Sequence, residues 1–173
     1  MVTYSLNSEA VEKAMNEWLT KRGVRREDIA ELVYLAQQEY YPVLTMDECR
    51  ESVDRVLAKR EVHNAILTGI QLDILAEEGK LLSPLQEMIE NDEKLYGCDE
   101  ILALSIVNVY GSIGFTNFGF LDKTKPGIVD RLNRKGGPML HTFLDDIVSA
   151  IAASACSRLA HRKQAHAEEH ELV

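Results

Sequence analysis

The chain has 173 residues, 46% of them hydrophobic and 27% charged, which suits a single domain with a sizeable core. A formal net charge of −9 argues against a nucleic-acid partner, because such binding rests on Lys and Arg neutralising phosphates. Three scattered cysteines (Cys49, Cys98, Cys156) and the lack of any CxxC fit a reducing, cytoplasmic setting rather than a disulfide framework.

Strand signals are scarce, and the pattern predicts an all-α fold, a multihelical bundle of about six helices. Residues 8–22 place Val11, Ala14, Met15, Trp18 and Leu19 on one face, with Ser8 as N-cap and Gly23 just past the end. Residues 26–40 repeat the pattern through Ile29, Leu32, Val33 and Ala36 until Pro42 stops it. Thr45 and Glu48 form a capping box for one long helix over 46–78. Ser83-Pro84 opens another, with Pro in the first helical position, ending near Gly97. Residues 98–110 are almost continuously apolar from Ile101 onward and are predicted to be a central buried helix.

Residues 111–119 are glycine-rich and predict a bend or hinge, and 121–132 a short turn or helix broken at Pro126-Gly127. The last helix is expected over 141–162, burying Ile147, Ala150, Ile151, Ser154, Ala155 and Leu159. A Gly-rich, basic loop precedes it. The one boundary signal, near 41–45, separates an N-terminal hairpin (1–44) from the helical body (45–163), and 164–173 reads as a frayed tail. Trp18 and the Tyr40-Tyr41 pair make the hairpin a candidate oligomer interface or membrane-facing lid. The N-terminus lacks the basic and apolar regions of a secretory signal, and no run nears the roughly 18 apolar residues that span a bilayer. Membrane contact is therefore expected to be peripheral.

Four acids and a basic loop carry the chemistry. Asp99-Glu100 opens the most apolar segment of the chain. The plain reading is an N-cap and a dipole partner; the functional one is a metal ligand at the mouth of a buried helix. Asp145-Asp146 lies just inside the last helix, where Asp is a poor helix former. Both border the apolar side, as a solvated edge or as ligands. His63 and Asp73 fall on the apolar stripe of the middle helix, as hydrogen-bonded core residues or as part of a bundle-core site. Between residues 119 and 137, Lys123, Lys125, Arg131, Arg134 and Lys135 surround Asp122 and Asp130. This is an ordinary solvated loop, or a place where Lys125 and Arg131 bind phosphate oxygens while Asp122 or Asp130 binds a hard cation. Cys49 and Arg55 have the spacing of a cysteine phosphatase loop. That stretch lacks glycine, carries Glu51 and Asp54 and sits in a helical pattern, so the reading is rejected.

Asp99-Glu100, then Leu121-Asp122-Lys123-Thr124-Lys125-Pro126, then Gly136-Gly137, then Asp145-Asp146-Ile147-Val148 together resemble the phosphatidylglycerophosphatase A family over roughly residues 95–160. The resemblance implies a helical bundle and Mg²⁺-dependent removal of phosphate from phosphatidylglycerophosphate, a step of phospholipid biosynthesis. Carried over residue by residue, it nominates Asp99, Glu100, Asp122, Lys125, Asp145 and Asp146, with Mg²⁺ or Mn²⁺ as cofactor. The chain departs from membrane-bound members: its helices are less apolar, and no Pro- and Gly-rich motif of the PGTxGS kind occurs in residues 1–60. The substrate is accordingly expected to be a phospholipid phosphomonoester or a small soluble phosphate. Two rival readings are an all-α Mg²⁺-dependent nucleotide pyrophosphohydrolase and a non-catalytic helical module that forms a homo-oligomer.

Overall fold

The computed structural model describes residues 6–171, and the side chains of residues 6–164. These residues are helical with no strand, so the all-α expectation holds. Helix α1 (Ser8–Lys21) packs on α4 (Arg60–Glu77), while α2 (Arg26–Gln37) packs on α3 (Met46–Leu57) and on the last helix, α9 (Leu144–Glu171). Between them lie α5 (Leu85–Asn91), α6 (Cys98–Val107), the 3-10 turn η1 (Asn108–Tyr110), α7 (Gly111–Thr124) and α8 (Ile128–Leu132). A single apolar cluster runs from Met15 of α1 to Leu159 of α9.

Several local expectations change. The cap of α1 is Asn7, whose Oδ1 accepts the Glu9 N–H (2.8 Å), and Ser8 is the first helical residue. The Thr45–Glu48 capping box is present in both directions. The helix it opens does not continue to residue 78, because Ala58-Lys59 breaks it into α3 and α4. His63 stabilises the break: its buried Nε2 lies 2.5 Å from the Leu57 carbonyl, one of the acceptors a helix end leaves unpaired. Pro84 sits at the N-cap of α5, and that helix stops at Asn91 rather than near Gly97.

The central helix is α9, not the segment over 98–110. Every residue from Thr142 to Ser157 is buried, whereas α6 leaves Ile101 67% exposed. The predicted hinge over 111–119 is helical, forming most of α7. Only Gly111, with φ 69°, interrupts the chain direction there. The stretch Cys98–Thr124 is long and apolar enough to cross a membrane by length and composition, with mean hydropathy 1.4. No unbroken apolar run marks it in the sequence, because Ser, Gly and Thr interrupt the apolar residues while lowering hydropathy little. Both of its helices pack on α9.

Two features set how α9 sits. Gly69 of α4 lets α9 approach closely: a Cβ there would overlap Ile147 Cδ1 and stand 3.0 Å from Phe143 Cβ. One turn further along α4, Asp73 is fully buried and accepts the Phe143 and Leu144 N–H groups at 3.1 and 3.3 Å. It satisfies two of the amides that open α9, a capping role taken by another helix. Burial pushes the Asp73 carboxyl up to about 8 against the pull of those amides and of Arg22. Arg22 pairs with Glu77 (2.6 Å) and also donates to the Leu140 carbonyl, which pins the segment leading into α9.

Gly69→Ala should cost about 1–3 kcal/mol, the usual range for overpacking a filled interface. Asp73→Ala should also cost about 1–3 kcal/mol by stranding buried amides, and Asp73→Asn less, since its Oδ1 still accepts. Urea denaturation of the three variants checks both values.

Candidate metal and phosphate site

Two helix N-termini bring the acids together. Gly97, with φ 65°, turns the chain into α6, so Asp99 and Glu100 lie in its first turn. Asp99 is not an N-cap, since no side-chain cap bond forms there. Asp145 and Asp146 occupy the first turn of α9 and are 6% and 4% exposed. Neither is a solvated edge, because the helix is enclosed on every side at that level. One oxygen each from Asp99, Glu100 and Asp146 lies within 4.8 Å of the others. Asp99 Oδ1 and Glu100 Oε2 are buried and receive no hydrogen bond. Burial raises the pKa of Asp99, with Glu100 adding to it, and burial raises Asp146, with Asp145 adding to it. Such a set of hard oxygen donors, short of positive charge, could hold a divalent cation.

Lys125 supplies the one cation in contact with these acids among the described residues. It ends α7 with φ 45°, and its own N–H still bonds the Leu121 carbonyl (2.8 Å). The Lys125 Nζ lies 2.8 Å from Asp122 Oδ1, 2.9 Å from Asp145 Oδ2 and 3.6 Å from Asp146 Oδ1. Burial works against its charge, but the carboxylates outweigh that and hold its pKa above the ordinary lysine value. Burial raises the Asp145 carboxyl, while Lys125 pulls it back down. Asp122 thus meets Lys125, and the three-acid cluster forms from Asp99, Glu100 and Asp146.

The other nominated residues have partners elsewhere. His63 bonds Leu57, and Asp73 holds the start of α9. Arg131 donates to the Gly23 carbonyl and lies 4.0 Å from Asp28, so it ties α8 to the turn after α1. Asp130 pairs with Arg134 at the surface (2.6 Å). Cys49 is buried in α3 with its thiol pushed up to about 11 by burial, consistent with an inert core residue.

A cleft of about 80 Å³ is lined by Arg134, Lys135, Gly136 and His141, with Asp145 among its walls. A second of about 360 Å³ shares that loop and adds Arg22 and Arg131. Sequence reasoning missed two groups here. Asp92, with φ 52°, pairs with Lys135 (3.2 Å) and acts electrostatically on Asp145. His141 lies against Arg22. Neither has a motif around it that would mark it out.

This geometry is shared with known proteins. A profile described as phosphatidylglycerophosphatase A matches residues 23–161. The chain belongs to the phosphatidylglycerophosphatase A family. It is 66% identical over 144 residues to the uncharacterized protein YutG of Bacillus subtilis, covering 83% of this chain and 87% of YutG. YpjQ of the same organism, also uncharacterized, is 54% identical over 164 residues, covering 95% and 91%. The crystal structure of low temperature requirement C protein from Listeria monocytogenes superposes with TM-score 0.89 at 61% identity, covering 91% of this chain and 99% of that one. Family members therefore share this helical arrangement closely.

The Arg22 guanidinium stands 3.3 Å from His141 Nδ1. Burial, helped by Arg22, lowers the His141 pKa from 6.5 to about 4. The unfolded chain takes up this proton first as pH falls. The stabilising contribution of neutral His141 is complete above the unfolded value and is lost as pH drops towards the folded one. The buried carboxyls act with the opposite sign in this window, so the His141 contribution is read as a difference: between about pH 7 and about pH 5 the urea midpoint of the wild type should drop relative to that of His141→Gln measured alongside it.

Proposed function

We propose that the protein is a metal-dependent phosphatase that hydrolyses phosphatidylglycerophosphate to phosphatidylglycerol and phosphate. The observation that supports this best is the convergence of Asp99, Glu100 and Asp146 beside Lys125 in a member of this family. Two unpaired buried oxygens in that cluster fit a hard cation. Asp99, Glu100 and Asp146 would hold Mg²⁺, or Mn²⁺ in its place. When bound, the ion supplies positive charge against phosphoryl oxygens and lowers the pKa of a water.

The chain's own residues do the rest. Lys125 is held charged and nearly immobile by Asp122 and Asp145, so it offers preorganised positive charge to an equatorial phosphoryl oxygen. Asp145 acts as its positioning residue and stands in the wall of the basic cleft. Arg134 and Lys135, exposed around that cleft, attract a phosphate dianion to an otherwise acidic protein. The same loop is the part suited to peripheral contact with an anionic lipid surface on the cytoplasmic side.

Phosphate release in Mg²⁺ from phosphatidylglycerophosphate in mixed micelles, set beside soluble sugar phosphates, tests the reading. Activity should vanish with a chelator. Glu100→Gln and Asp146→Asn should each lower it by at least about 10-fold to 100-fold while the protein stays folded. Calorimetry should show weaker Mn²⁺ binding in the same variants. Full activity and unchanged Mn²⁺ binding in both would remove this assignment. Pyrophosphate release from nucleoside triphosphates would favour the pyrophosphohydrolase instead.

A further inference from the structure

Residues 101–121 contain no charged side chain, in a chain of which 27% is charged. A sequence so apolar is expected inside the protein, yet the segment spanning α6, η1 and α7 turns a continuous face outward. On α6 that face is Ile101 and Ser105, continued by Asn108 and Val109 of η1; on α7 it is Ser112, Phe115, Thr116, Gly119 and Phe120, spaced as one helical stripe. Ile101 is 67% exposed, Val109 57%, Phe120 52% and Phe115 42%. A Cβ added at Gly119 would meet nothing, so the open surface there leaves room for an approaching helix.

We infer that this face binds the same face of a second copy of the chain, giving a two-fold dimer. Area supports a protein partner. The four large side chains alone offer on the order of 400 Å² of exposed surface, and the small polar residues between them bring the face towards the ~800 Å² per partner of a stable interface. Chemistry also points to a like surface. A patch with aromatic centres and Ser, Thr and Asn between them, with charge only at its edges where Val109 borders Arg158 and Arg162 and Ser105 borders Glu61, matches the apolar core and polar rim of a protein interface. A lipid surface fits less well. Helices that lie on anionic membranes carry a row of Lys and Arg beside their apolar face, whereas residues 101–121 carry no cation and the run ends at Glu100 on one side and Asp122-Lys123 on the other. The N-terminal hairpin also exposes Leu35, Tyr40 and Val43, but charged residues such as Glu31 and Glu39 are interspersed among them, whereas residues 101–121 carry none.

The position of the face gives the dimer a consequence. α6 carries Asp99 and Glu100 at its start, and α7 carries Asp122 and ends at Lys125. A partner lying across both helices would brace the two walls of the acidic site from outside. The inference itself is independent of the reaction proposed above, because it concerns association in the absence of substrate.

Sedimentation equilibrium with circular dichroism tests it. The wild type should sediment at twice the 19.5 kDa chain mass, and Phe115→Glu and Ile101→Glu at that chain mass with unchanged helicity. Leu95→Glu, at a 92% exposed site outside the face, should leave the dimer intact. A wild type that stays monomeric at high micromolar concentration overturns the inference, as does a dimer that survives both glutamate variants. A monomer that pelts down with phosphatidylglycerol vesicles through Phe115 would assign the face to a membrane and equally overturn it.

Discussion

Two carboxylates stand in the first turn of a helix that is buried on every side as far as Ser157, and the surrounding structure is arranged to tolerate them. Buried ionised groups are costly unless paired, and Asp145 and Asp146 are only 6% and 4% exposed. Two things offset the cost. The N-terminal dipole of α9 favours negative charge at this position. Lys125 brings a full positive charge within 2.9 Å of Asp145. Asp99 and Glu100 then meet Asp146 with oxygens left free, so the balance of charge at the cluster is still negative. Placing Lys125 this way requires an αL residue at the end of α7, an uncommon state for a side chain with a Cβ.

Hydropathy and burial separate in this fold, and that is why the sequence misplaced the central helix. The apolar run from Ile101 to Leu121 looked like the core, while α9 mixes Ala, Ser and Cys with two aspartates. Yet small residues are what a helix needs if neighbours are to close on it from all sides. α2, α3, α4, α6, α7 and α8 all pack on α9. Two of its serines reach carbonyls, Ser149 that of Asp145 and Ser157 that of Tyr110, while the buried Ser154 hydroxyl has no hydrogen-bond partner among the described residues. A helix surrounded in this way has no polar face, so periodicity reports nothing about it. The helical class itself was readable, because capping boxes and stop signals act within a few residues.

The candidate site was readable by residue type and only partly by role. Paired acids at the starts of two helices, with Asp122 and Lys125 between them in sequence, are residues that the fold brings together. What no local pattern could supply was the pairing. Asp122 turns to Lys125 rather than to the acid cluster, and Arg131 is spent on the turn after α1. His63 and Asp73 were singled out as polar residues on an apolar stripe, and each satisfies helix-end backbone groups. A sequence shows that a buried polar residue needs a partner. It does not show that the partner is the end of another helix, 70 residues away in the case of Asp73.

These long-range partners make the site a property of helix spacing. The acids come from α6 and α9, and the lysine from the end of α7, with no rigid loop or disulfide joining the three. Their relative positions are therefore set by how α6 and α7 lie on α9, and α9 is itself placed by Gly69 and Asp73 of α4. Displacements of about 1 Å matter when groups must converge on one small ligand. Close packing at Gly69 resists such displacements, since interiors at this density deform in steps rather than continuously. The capping contacts at Asp73 then carry that precision to the first turn of α9, where Asp145 and Asp146 stand.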